Sequence, residues 1–502
     1  MRTALQTGIA GICAGLGILF PSIWWVSCIG VAIFAYILNE HPRNTFLTGW
    51  NFGIFFCGTA IIWFWAALPF DWLGIESSAA STALLAVCWG YVAIGMGVFF
   101  GLFAMVYIRC HVSTSVSGAI VAASLWTLIQ YCQMWGFAIL TIGNSSLLGA
   151  HFSPPAIGYA LVGFSPFLQF AALGGIYALT FCVALVGFLA YHAVRVSTTH
   201  AKATVAGTII CIAVLTYIDQ ATPLVDVLPQ RADGTVRIAL ITTNIFGKDA
   251  SARVTDAAKK QYMEIVRYPI IPDIIVAPEN ADVLGNDSVS ESLVIDSIFT
   301  VTSDSKHSFL RFHNKNGLIA EYRKMLLVPQ GEYVVWPTLW AIRLFTGSQA
   351  DTIIANYDVT RGDAIHTVQS GRFHVGALFC SDILSPKLYR TLTSQGAEIL
   401  INAASQAPFH GSRFTDQLVL SMAQVRAVES GRYFALSGNA IPSFVVSNRG
   451  SIVALSPKGK SSTVFAEVPL LSHATPYARF GELVLLIPIA LCVAILWRRY
   501  YG

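Results

Sequence analysis

Charge is scarce in this chain. Of 502 residues, 31 are Lys or Arg and 27 are Asp or Glu, together 12%, about half the charged share of an ordinary soluble domain. That excludes a conventional water-soluble protein. Neither half shows a repeat or a low-complexity tract. Cysteine is nearly missing from one region: of ten in all, only Cys380 falls in the roughly 250-residue polar stretch, and the other nine lie in or beside apolar segments. A single cysteine excludes an internal disulfide there. A basic face is missing as well. Setting aside seven basic and four acidic residues of the apolar segments leaves 24 basic and 23 acidic residues, a balance that excludes nucleic-acid binding. No cluster of residues has metal-ligand spacing.

Apolar residues, in contrast, make up 55% of the chain, with a mean hydropathy of +0.62. Stretches of membrane length run over about 3–20, 22–39, 47–68, 81–108, 116–142, 161–193, 203–219 and 482–497. Eight spans are therefore expected, the two longest tilted or kinked. With the N-terminus in the cytoplasm, Arg2, Arg43, Arg109, Arg195, Lys202, Arg498 and Arg499 all fall on the inner side. The short outer loops hold Asp71 and Glu76 and no Lys or Arg. A cleaved signal peptide is the alternative for the first stretch, but a second span follows at once without a clean cleavage site. Trp24, Trp25, Trp63, Trp65 and Trp72 near span ends read as interface anchors. The expected organisation is a seven-span bundle (1–220), an outer domain (221–478), and a last helix with a basic cytoplasmic tail (479–502).

The outer domain reads as short strands alternating with amphipathic helices. Strands are expected at 237–244, 272–277, 372–380 and 397–402, and helices at 251–267, 288–302, 385–395 and 415–431. A hairpin over 306–323 turns at Asn314-Lys-Asn-Gly317, and strand-rich sequence with a turn at Ser447–Gly450 runs to about 470. Such alternation indicates a layered α/β sheet, whose active residues sit at the C-terminal ends of strands.

Three residues sit at such ends. Cys380 closes Val375-Gly-Ala-Leu-Phe-Cys380, Glu279 closes Ile274-Ile-Val-Ala-Pro-Glu279, and Lys324 follows the hairpin. A buried Cys alone is usually inert packing, and a Lys after a hairpin is usually solvated. Together, a thiol, a carboxylate and an amine are the parts of an acyl-transfer site. A free thiol has a pKa of about 8.5 and reacts as thiolate. Glu279 is then the candidate base, and Lys324 the group that stabilises thiolate and oxyanion. The backbone N–H of Ser381 is the natural second oxyanion donor.

Pro278-Glu279, Tyr322-Arg-Lys324, Leu327-Val-Pro-Gln-Gly-Glu-Tyr333, Phe379-Cys-Ser-Asp382 and Arg426-Ala-Val-Glu-Ser-Gly-Arg432 resemble nitrilase-superfamily signatures. With Gly49-Trp-Asn-Phe-Gly53, Trp63 and the span pattern, the whole chain resembles bacterial apolipoprotein N-acyltransferases. The resemblance implies an αββα nitrilase-like sandwich on a transmembrane bundle of the cytoplasmic membrane. It also implies ping-pong acyl transfer, from a membrane phospholipid to Cys380 as a thioester, and then to the amino terminus of a lipoprotein. Glu279, Lys324 and Cys380 take the family's triad positions, and Glu332 its supporting glutamate. No cofactor or metal is implied.

The departures fall where substrate would sit. The family usually has Phe at the place of Gln330, Trp at Ala277, and an aromatic residue and Glu at Ser381 and Asp382. Ala404–Phe409 replaces a Ser-Asn-Asp-x-Trp-Phe segment, and Ile441-Pro442 a Gly-containing turn. Divergent relatives include conjugal-transfer proteins of the TraB type, for which conjugation machinery would be the partner. The apolar stretch Val334–Phe345 reads either as a loop dipping into the membrane to admit a lipid tail through Trp336 and Trp340, or as a helix buried against the bundle. His151 and His410 are given no role. Two further readings stand beside the acyltransferase: an amidase using the same thioester, and a catalytically weak membrane scaffold.

Overall fold

The computed structural model describes residues 2–70, 77–110, 115–195, 232–247, 250–285, 291–302, 305–346 and 357–501. The N-terminal part is helical: α1 (Arg2–Leu19), α2 (Trp24–Glu40), α3 (Thr45–Ala60), α4 (Ser78–Arg109), α5 (Val116–Leu140) and α6 (Ala171–Arg195). Ser77 and Ser115 cap α4 and α5 by accepting the Ala80 and Gly118 N–H groups. Small residues let the helices approach. A Cβ on Gly53 of α3 would meet the Gly97 carbonyl of α4 at 2.6 Å. Around Trp126 the rings of Phe34, Phe52, Phe56, Phe100, Phe103 and Phe188 lie with centroids 5.0–6.4 Å away.

Among the described residues, five helices are long and apolar enough to cross a membrane: Arg2–Leu19, Pro21–Glu40, Ser78–Arg109, Ala171–Arg195 and Pro476–Trp497. That is fewer than the eight expected. The 47–68 stretch breaks at Ala60 into a 3-10 segment, Ile62–Ala67. In the 116–142 stretch, α5 carries the buried polar residues Gln130 and Gln133. The sixth expected span starts later, at Ala171, because Ile157–Gly163 forms a 3-10 turn. The expected span at 203–219 lies outside the described residues, as do Asp71, Trp72, Glu76 and Lys202.

Among the described residues, twelve strands in two six-stranded sheets build the second part: β1 (Ala232–Thr242), β2 (Ile274–Val276), β3 (Leu293–Val301), β4 (Lys306–Asn314), β5 (Gly317–Arg323), β6 (Val368–Ser370), β7 (Phe373–Phe379), β8 (Ile399–Ser405), β9 (Tyr433–Asn439), β10 (Phe444–Val446), β11 (Ile452–Leu455) and β12 (Ser462–Leu471). Their orders are β12-β1-β2-β3-β4-β5 and β11-β10-β9-β8-β7-β6. The β4–β5 hairpin turns on the expected residues, with Asn314 facing Gly317. Within 288–302, expected as a helix, Leu293–Val301 is strand β3 instead, and 288–290 lie outside the described residues. Leu293 and Ile295 enter the core between the sheets while Val294 enters the core on the other face. An apolar run buried on both faces has no period of two, and so mimics a buried helix.

The sheets face each other across Val236, Ile238, Ile274, Val375, Ile399 and Ala435. Outside the first lies α7 (Ala250–Ile265), packed on Ala239, Ile241 and Ile275. Outside the second lie α9 (Pro386–Ser394) and α10 (Arg413–Ser430). Further helices are α8 (Trp336–Thr346), α11 (Pro476–Phe480), α12 (Leu486–Tyr501) and a single turn at Ser165–Leu168. The layering is αββα, and its second helix layer is continuous with the bundle. One apolar cluster runs from Phe34 and Trp126 through Leu388 and Val425 to Leu400 and Leu436. At Gly175 (φ +61) α6 kinks, and a Cβ there would strike the Tyr477 ring at 2.7 Å.

Candidate active site

Strand ends deliver the polar groups. After β2 the chain leaves as Ala277-Pro278-Glu279, and the Glu279 N–H donates to Ala404 O of the second sheet at 3.4 Å. Asn280 follows with φ +61, and its N–H donates to Ser297 Oγ at 2.8 Å. Lys324 follows β5, tied by its N–H to Ser308 O at 3.1 Å. Glu332 closes a tight turn, accepting the Val328 N–H on Oε2 at 2.7 Å. Cys380 opens a 3-10 turn, Cys380–Leu384, directly after β7.

These segments place four expected residues together. Lys324 Nζ donates to Glu279 Oε1 at 3.0 Å and to Glu332 Oε1 at 2.8 Å. Glu279 is 7% and Lys324 2% exposed, so the ammonium is held between carboxylates away from water. The partly exposed Cys380 directs its thiol to Ser405 O at 3.5 Å.

Burial is the main cause pushing the Cys380 thiol well above its usual range. The Glu279 carboxylate adds to it and Lys324 opposes it. Burial alone would lower Lys324, but Glu279 and Glu332 hold it well above its usual value. A thiol raised in this way would need a base to take its proton before it could react as a thiolate.

Ser381 and Asp382, where the sequence departs from the family pattern, tie the cysteine turn to the lysine segment. Ser381 Oγ donates to Leu326 O at 2.5 Å, and Asp382 Oδ1 accepts the Leu326 N–H at 2.7 Å. Asp382 Oδ2 accepts the Phe379 N–H at 3.1 Å. Burial raises the Asp382 carboxyl to about 7, against these hydrogen bonds and Lys324. Sequence reasoning missed this clasp; the one signal was an acidic residue two places after the cysteine. The Ser381 N–H belongs to the first turn of its 3-10 segment, where N–H groups lack partners within the turn.

The tryptophans belong to a neighbouring feature. Trp336 packs with Val334, Leu339 and Tyr357. Its backbone N–H donates to Ile142 O at 2.8 Å and its indole to Asn144 Oδ1 at 3.2 Å, at the end of α5. Trp340 is 58% and Leu344 85% exposed. So α8 starts pinned to the bundle and presents apolar side chains outward. Ile441 and Pro442 line a cavity of about 200 Å³ with Thr243, Phe246, Lys458 and Lys460, beyond the ends of β1 and β9.

Two family models match the chain. "Apolipoprotein N-acyltransferase N-terminal domain" covers residues 10–189, and "Carbon-nitrogen hydrolase" covers 306–475. The second match includes Lys324, Glu332 and Cys380 and begins after Glu279. An apolipoprotein N-acyltransferase of Vibrio vulnificus is 24% identical, over 99% of this chain and 97% of that protein. One of Shewanella oneidensis is 25% identical, over 97% and 93%. Among solved structures, yeast Nit3 of the nitrilase superfamily aligns with 47% of this chain and 91% of its own, at 18% identity and a TM-score of 0.36.

Proposed function

The chain belongs to the apolipoprotein N-acyltransferase family, and on that premise we propose that it is a membrane N-acyltransferase working through a thioester on Cys380. The donor is a membrane phospholipid and the acceptor the amino terminus of a lipoprotein. The observation that carries this reading is the Lys324 ammonium fixed between Glu279 and Glu332 beside the Cys380 thiol.

Glu279 takes the Cys380 proton as sulfur attacks the ester carbonyl of the lipid. Two carboxylates occupy two of the three N–H groups of Lys324. The third, with the Ser381 backbone N–H, faces the oxyanion. The tetrahedral intermediate collapses, Glu279 returns its proton to the leaving alkoxide, and the lysophospholipid departs. The lipoprotein amine then attacks the thioester carbonyl and gives a proton to Glu279. Collapse forms the amide and expels the thiolate, which recovers that proton. Glu332 holds Lys324 in place throughout. Loss of one oxyanion donor costs about 100- to 1000-fold in rate.

We also propose the organisation read from the sequence: bundle 1–220, catalytic domain 221–478 on the periplasmic side, and 479–502 returning the tail to the cytoplasm of a bacterial inner membrane. The exposed Trp340 and Leu344 support a lipid-entry role for α8. The relatives' names favour a lipoprotein over a conjugation partner.

The test is the intact mass of protein purified from membranes. A hydroxylamine-sensitive acyl adduct on the native chain, absent from Cys380→Ala, is expected. No adduct after incubation with phospholipid would overturn the lipid donor.

A further inference from the structure

The turn that carries Cys380 is gripped from the bundle side. The segment 151–163 after α5 lies against its far end. Ser153 donates twice to Leu384 O, from its N–H at 3.2 Å and from its Oγ at 2.6 Å. His151 Nδ1 lies 2.8 Å from Ser385 Oγ, which also caps α9 by accepting the Leu388 N–H. Arg426 of α10 joins the two sides. Its Nε donates to Ile383 O at 3.1 Å, and its Nη2 to Ser153 Oγ at 3.0 Å and Tyr159 Oη at 2.8 Å. Its Nη1 donates to Glu429 at 2.6 Å.

The bundle holds the other end of this segment. Gln130, buried on α5, donates to Pro155 O at 2.9 Å and accepts the Ile157 N–H at 3.1 Å. A buried chain of hydrogen bonds therefore runs from α5 to Ile383 and Leu384, the last residues of the cysteine turn. Arg426, Glu429, Ser153 and Tyr159 are all fully buried. Ala and Phe would fill the space of Ser153 and Tyr159 at little cost in packing, whereas buried hydroxyls and charges need every partner satisfied. What the hydroxyls add is a fixed position for the turn.

We propose that Ser153 and Tyr159, acting through Arg426, are positioning residues that set the Cys380 thiol against Lys324 and Glu279 from the membrane bundle. This rests on the reading of Cys380 as the nucleophile. The test uses full-length protein in phosphatidylethanolamine-containing vesicles, comparing native chain with Tyr159→Phe, Ser153→Ala and the double variant. Two rates are measured per folded molecule. One is acyl-adduct formation as a function of phospholipid. The other is alkylation of Cys380 by iodoacetamide as a function of pH, followed on its own peptide.

The double variant is expected to acylate about 10- to 100-fold more slowly at saturating lipid, the cost of a small misplacement. Half-saturation should be unchanged, and the pH midpoint of alkylation displaced. Native acylation together with a native alkylation profile would overturn the proposal, even if the variants melt earlier. If the double variant does not fold, Tyr159→Phe alone decides, since it loses a single hydroxyl. If the native chain forms no adduct, the acyltransferase reading fails, and the alkylation profile still decides positioning.

Discussion

Two buried groups of opposite charges lie in the same sandwich, and they are built differently. In one, Arg311 of β4 grips Asp296 of β3, its register partner, through Nε at 3.0 Å and Nη2 at 2.8 Å. It also reaches Asp282, while Asp296 Oδ2 accepts the Val283 N–H at 3.1 Å. Everything there comes from one sheet and its adjoining loop, and the planar guanidinium matches the carboxylates. In the other, Lys324, Glu279 and Glu332 come from three segments of the first sheet's side and meet a thiol from the second. The first group joins neighbouring strands; the second spans a seam and ends at a thiol. Burial of charge alone does not mark a catalytic site. What sets the proposed catalytic site apart is a point charge placed beside a thiol across two sheets.

Substitutions can break this contrast or sharpen it. Cys380→Ala should produce the largest effect, at least about a 1000-fold loss of acyl transfer, with the fold intact by circular dichroism. Lys324→Met should lower acylation about 100- to 1000-fold, read as slow adduct formation, since it removes the cation between two carboxylates. Arg311→Met should do the converse. Leaving Asp296 buried and unpaired costs about 3–5 kcal/mol, measured by chemical unfolding, while the rate per folded molecule stays native. Arg311→Met slowing the chemistry of folded molecules would erase the distinction drawn above.

Asp382 supplies a pH test. Burial raises its carboxyl from 3.8 to about 7 in the folded protein. A raised acid favours the folded state fully below pH 3.8, and that contribution is lost as pH rises towards about 7. The thermal midpoint of the native chain should therefore carry a downward slope over that window that Asp382→Asn lacks. The smallest effect is expected from Trp336→Ser with Trp340→Ser. Lipid turnover should fall in a protein whose thermal midpoint is nearly unchanged; a native rate would leave α8 as packing.

The legible part of the molecule was what chemistry concentrates locally. Cys380 and Glu279 each end an apolar run, and Lys324 follows a hairpin whose Asn and Gly residues mark the turn. What stayed hidden depends on distant partners. Nothing near Ser153 or Tyr159 signals that they meet Arg426, more than 260 positions away. Ser381 and Asp382 read as departures because their partner, Leu326, lies across the seam. The strand β3 was obscured by its burial on both faces. The span count differs where apolar sequence turns into a 3-10 segment at Ile62 and where a long helix carries buried Gln130 and Gln133, while the 3-10 turn at Ile157 only moves the start of a span.

Arg426 bears on portability. Excised from the bundle, the sandwich would lose Ser153 and Tyr159, two of the oxygens that Arg426 Nη2 meets. It would also bare α9 and α10, whose Leu388 and Val425 belong to an apolar cluster shared with the helices. An exchange of either part of this molecule for another protein's is therefore expected to work only where the segment after α5 travels with the sandwich it fits.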